Sequence, residues 1–78
     1  MHKVYINMPS VTFAMKSEKI LRKNHIYGLV VKTPSQFSSH GCSYSIIINS
    51  NQLEAAKTIL DKNNIQINDI RSEQEVQL

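Results

Sequence analysis

Twice in this chain a short strand pattern runs directly into a helix pattern, and a polar stretch, Thr33 to Tyr44, separates the two units. In the first unit Val4, Ile6 and Met8 alternate with Tyr5 and Asn7, the period-two signature of a half-buried strand, and Pro9 ends the ladder. Ser10 then stands as an N-cap before Val11 to Asn24, a stretch without Gly or Pro. Val11, Ala14, Met15, Glu18 and Leu21, with Ile20 beside them, recur at three- and four-residue steps and form the expected buried face. Glu18 and Arg22 have the favourable acid-first i,i+4 spacing, and Asn24 and His25 stop the helix. In the second unit Ser43 to Asn49 reads as a strand, with Tyr44, Ile46 and Ile48 inward and Ile47 outward. A second helix follows, with Asn51 as its expected cap, Glu54 completing a capping box, and Leu53, Ala56, Ile59 and Leu60 as its buried stripe. Asn63 and Asn64 end it, since asparagine tolerates the left-handed conformation of a C-terminal cap.

Two further strands complete the pattern. Ile26 to Thr33 is rich in β-branched residues, and Gly28 within it marks a bulge or a close backbone approach, which suits an edge position. Ile65 and Ile67, with Ile70 out of register, indicate a final strand, and residues 72–78 read as a loose polar tail. The resulting order, β-α-β-β-α-β, predicts one ferredoxin-like α+β domain spanning residues 1–78, a four-stranded antiparallel sheet carrying both helices on one face. The first and third strands are then central, so the polar stretch leads straight into a central strand.

A 78-residue chain buries only roughly 60–65 % of its unfolded surface, which leaves a small core. One Cys, with His2, His25 and His40 at wide spacings, supplies neither a disulfide framework nor a four-ligand zinc set. Packing or oligomerisation must therefore hold the fold, and no metal or other cofactor is expected. The N-terminal residues lack the apolar core of a signal peptide, and Leu29 to Val31 and Ile46 to Ile48 are far too short to span a bilayer. A cytoplasmic location is the expectation, and a free thiol suits its reducing conditions.

The formal net charge of +3 rests largely on Lys16, Lys19, Arg22, Lys23 and Lys32, the pattern of a solvated helix face rather than a dense basic stripe. An RNA-recognition module shares the strand and helix order, but Tyr44 falls on the same face as Ile46 and Ile48, so the exposed sheet face lacks a stacking platform. Nucleic acid is accordingly not the expected partner. That open face should bear Tyr5, Asn7, Ser43, Ser45 and Ile47, a mixed surface that permits a homodimer without requiring one. A non-catalytic regulatory or protein-interaction module is thus one reading of the chain.

The other reading centres on Cys42. A thiolate is favoured by nearby positive charge and by amides or hydroxyls turned toward it, and His40, Gly41, Ser38, Ser39 and Ser43 surround Cys42 with those groups; Ser35 lies farther back. The same residue types also fit a small buried cysteine at a strand start, a solvent-facing histidine and turn-forming serines. Phe37 is the apolar member of the stretch, suited to anchoring it on the domain or to meeting a partner.

TFAMKSEKILRKN in the first helix, the strand ending at Pro34, the serine-bearing loop reaching Cys42 and Tyr44, and LEAAKTIL in the second helix together resemble a bacterial family of selenium/sulfur carrier-like proteins. The resemblance covers Val4 to roughly Ile70. It implies that Cys42 carries the chalcogen, as a persulfide or selenopersulfide, between donor and acceptor proteins by thiol exchange, without enzymatic turnover. Ser43 stands where the family usually has glycine, Ser35 where it often has arginine, and the loop is about one residue longer. The first change restricts a backbone turn and the second removes an anion partner.

Overall fold

The computed structural model describes residues 2–33 and 43–72. Strand β1 is Lys3–Met8, helix α1 Val11–Lys23, strand β2 Leu29–Lys32, strand β3 Tyr44–Asn49, helix α2 Leu53–Lys62 and strand β4 Asp69–Ser72. The sheet order is β2-β3-β1-β4, and every neighbouring pair is antiparallel. This is the ferredoxin-like α+β arrangement, with β1 and β3 central and the glycine-flanked β2 at an edge.

The direct register partners Val4 and Ile48, Ile6 and Ile46, and Met8 and Tyr44 share one face of the sheet. Ile6, Met8 and Ile46 are fully buried there and Ile48 almost so, against Ala14 and Leu21 of α1 and Ala56 and Leu60 of α2. Fully burying each such isoleucine or leucine contributes about 1.5–3 kcal/mol. That face is the core.

The buried line of α1 is Ala14, Ser17 and Leu21, flanked by the partly buried Phe13 and Ile20. Val11 and Met15, expected inward, are instead exposed, Met15 by 52 %. Ser17 takes the inward position because its hydroxyl donates to the carbonyl of Phe13 at 2.7 Å within its own helix and lies 3.3 Å from Met8 Sδ. A small residue whose hydroxyl is satisfied locally can sit where the helix meets the sheet closely. Ser10 caps α1 by accepting from the amide of Phe13 at 3.4 Å, and Arg22 pairs with Glu18 at 3.4 Å.

Both helices end alike. The amide of Ile26 donates to the carbonyl of Leu21 at 2.9 Å and that of His25 to Arg22 at 3.0 Å; in α2 Ile65 donates to Leu60 at 3.0 Å and Asn64 to Asp61 at 3.1 Å. His25 and Asn64 occupy the left-handed region, with φ of 64° and 57°. These are paired Schellman caps, and each places an isoleucine back into the core beside the leucine it bonds. The two caps are built from similar stretches, ILRKNHI at 20–26 and ILDKNNI at 59–65, so the same residue types serve the same cap twice.

Several boundaries differ from the sequence expectation. Ile26 belongs to the cap of α1 and Gly28 to a close crossing, so β2 pairs only from Leu29. A Cβ on Gly28 would clash with the side chain of Ile46 and lie 3.1 Å from Ile48 Cγ2, so only glycine lets the chain approach β3 there. At the start of α2 the expected Asn51 and Glu54 capping box does not form; a 3-10 turn, Ser50–Gln52, leads in, and the amide of Leu53 bonds the carbonyl of Ser50. Ile65 is held by the cap rather than by a ladder, and pairing begins when the amide of Asn68 donates to the carbonyl of Asn7 at 2.8 Å. The final strand is therefore Asp69–Ser72, with Ile70 opposite Ile6. Ser72, expected in the tail, belongs to that strand, and 73–78 lie outside the described residues.

Candidate functional site at the ends of β2 and β3

Of the residues that the sequence singles out, Ser38, Ser39, His40, Gly41 and Cys42 lie outside the described residues, as do Ser35 and Phe37. The structure does describe the two ends between which they run. The amide of Thr33 donates to the carbonyl of Ser43 at 2.9 Å, extending the β2–β3 ladder by one step beyond Lys32 and Tyr44. Ser43 thus contributes through its backbone, half-buried, as one side of a closed foot from which residues 34–42 connect the two strands.

Beneath that foot lies a chain of side-chain hydrogen bonds on the sheet face away from the helices. Val31, Ser45, Asn7 and Asp69 form one register row across all four strands. Thr33 Oγ1 meets Ser45 Oγ at 2.7 Å, Ser45 Oγ donates to Asn7 Oδ1, Asn7 Nδ2 donates to Asp69 Oδ1, and Arg71 Nε donates to Asp69 Oδ2 at 3.3 Å. Ser45 is fully buried and Asn7 is 3 % exposed, although both helices pack on the opposite face. Burial at such positions is favourable only when each polar atom has a partner, and here no buried side-chain nitrogen or oxygen among the described residues lacks one. The chain ties β4, through the two central strands, to the residue that opens the 34–42 connection.

Period-two alternation places Asn7 and Ser45 on this open face, as expected, but it says nothing of their burial. The available signal is that a polar side chain sits one residue from the end of each central strand, Asn7 next to last in β1 and Ser45 second in β3, at positions facing each other across the pair. Tyr5 and Ile47 are likewise direct partners on that face and are half-buried.

Among the described residues no cluster of histidine, cysteine, aspartate and glutamate could hold a metal ion, and no helix is long and apolar enough to cross a membrane. Comparison with curated proteins and with solved structures finds no match. A family model described as "Putative Se/S carrier protein-like" matches residues 3–72, from the first residue of β1 to the last of β4. With that match running through the whole sheet and both helices, the chain belongs to this selenium/sulfur carrier-like family.

Proposed function

We propose that the protein is a non-enzymatic chalcogen carrier that holds sulfur or selenium on Cys42 and passes it between a donor and an acceptor protein. The observation that carries this reading is the family match over residues 3–72, which includes the chain's one cysteine, Cys42, two residues before β3 in the sequence.

In the loading step the Cys42 thiolate attacks the terminal sulfur of a donor persulfide. The new S–S bond forms on Cys42, the donor's S–S bond breaks, and the donor cysteine leaves as a thiolate. Delivery is the same exchange in reverse order, with an acceptor thiolate attacking the terminal sulfur carried on Cys42. No net oxidant or reductant is consumed, and the selenium case differs only in the atom transferred. His40 in its protonated form and the hydroxyl or amide donors of Ser38, Ser39, Gly41 and Ser43 would favour the anionic sulfur. A reducing cytoplasm is the compartment in which such a thiol stays available.

Intact-mass measurement after incubation with a cysteine desulfurase and cysteine tests the proposal. A gain of one sulfur that dithiothreitol removes, and that Cys42→Ser abolishes, is the expected result. A Cys42 that stays unmodified by desulfurase and by alkylating reagents in the folded protein overturns it.

A further inference from the structure

We infer that the outer edge of β2 is a docking site for an extended, acidic segment of a partner protein, which adds to the sheet as a fifth strand. The main-chain geometry supplies the first part of the argument. Because the Thr33 amide donates to Ser43, positions 33, 31 and 29 turn their N–H and C=O groups toward β3. Val30 and Lys32 consequently turn theirs outward, and no described residue pairs with them, since β2 is the end strand of the sheet. An edge of this kind is a ready template for another strand.

The side chains around it favour a protein ligand. Tyr27 and Leu29 are 67 % and 62 % exposed, and Met15 stands exposed on the flank of α1 facing β2. Met15, Glu18, Lys19, Gly28, Leu29 and Val30 line a groove between that helix and the strand. Two cations there are left over: Glu18 in the groove is matched by Arg22, whereas Lys19 beside it and Lys32 farther along β2 make no ion pair among the described residues. An incoming strand that alternates carboxylates with small apolar side chains would complement both features. A second copy pairing β2 to β2 would bring the Lys19 and Lys32 of both copies to one seam, which disfavours self-association at this edge.

β4, the other edge strand, has a different character. The groove beside its inner end is lined by Glu54, Lys57, Thr58, Asp61, Ile65, Ile67 and Ile70, with two carboxylates to one lysine. An acidic segment therefore has reason to choose between the two edges. The inference concerns recognition alone and does not depend on any chemistry at Cys42, so the two can fail separately.

The test is a titration of the isotope-labelled full chain with a short acetylated, amidated peptide alternating glutamate with valine. The controls are the same peptide with lysine for glutamate and the same peptide N-methylated at the residues facing β2. The inference expects the largest amide shifts and slowed hydrogen exchange at Val30 and Lys32, with affinity falling as ionic strength rises. Lys32→Pro, which removes one outward amide without touching the ladder to β3, should weaken binding by at least about tenfold, and Lys32→Ala by a smaller factor. Should Lys32→Pro fail to fold, the N-methylated peptide removes the same bonds from the ligand side and must lose binding. Equal binding of the lysine or N-methylated peptide, or shifts confined to β4 or the helices, overturns the inference. Concentration-dependent self-association that protects Val30 and Lys32 without peptide would also overturn it, by assigning the edge to a second copy.

Discussion

The backbone of Gly28 lies directly against the side chain of Ile46, a fully buried residue of the central strand β3. Any Cβ at position 28 must displace that side chain or lift the start of β2 off the sheet. Gly28→Ala is expected to destabilise the fold by about 1–3 kcal/mol, the usual cost of overpacking. Thermal denaturation reads this directly, since each kcal/mol moves the midpoint of so small a domain by about 4–8 °C.

His25 and Asn64 both carry a Cβ through the left-handed region at the ends of α1 and α2. Glycine relieves that strain, so His25→Gly and Asn64→Gly should each be neutral or stabilising by up to about 1 kcal/mol. A β-branched residue works the other way, and His25→Val should cost about 1–2 kcal/mol. Chemical denaturation of the three variants checks both signs.

The chain of bonds through Ser45, Asn7 and Asp69 predicts a penalty out of proportion to the atoms removed. Asn7→Leu leaves Ser45 and Asp69 each short of a partner and should cost about 1–3 kcal/mol. In a double-mutant cycle, Asn7→Ala and Ser45→Ala should be non-additive, with a coupling of about 0.5–3 kcal/mol as expected for residues in one network. Additive effects would show that the bond between them contributes nothing measurable.

Ser17 and Met15 exchange the roles that their chemistry suggests. Ser17→Leu places a large side chain at a fully buried position and should cost about 1–3 kcal/mol, whereas Met15→Gln on the exposed flank should stay within about 0.5 kcal/mol of the parent. Denaturant midpoints for the pair would invert if hydrophobicity alone determined which face of α1 is buried.

The central half of the fold was legible because its signals are redundant. β1 and β3 alternate cleanly, Pro9 and Ser10 punctuate the entry to α1, and the inward set Ile6, Met8, Ile46 and Ile48 follows from period two. The edge strands were legible in order and position but not in their bounds, since an edge strand needs few apolar residues. β4 contributes only Ile70 and Ser72 to the inner face, while the more conspicuous Ile65 and Ile67 lie before it. The capping-box motif at Asn51 and Glu54 misled for a local reason: backbone bonds of the 3-10 turn occupy that helix start. As for the site, the sequence points to Cys42 and its neighbours by residue type. The polar row of Thr33, Ser45, Asn7 and Asp69 is a tertiary feature, because burial of Asn7 and Ser45 depends on what covers the sheet and not on their spacing.

The bond between Thr33 and Ser43 also bears on how the family's members can diverge. With both ends of the 34–42 connection fixed by a ladder step, a change in its length falls between two clamped points, and closing twice the length of chain costs only roughly 0.6 kcal/mol more in entropy. The ladder step holds β2 and β3 in register at this end of the sheet. Residues 34–42 can therefore be lengthened, shortened or exchanged as a cassette, leaving new specificity to be selected on a sheet that does not have to be reinvented.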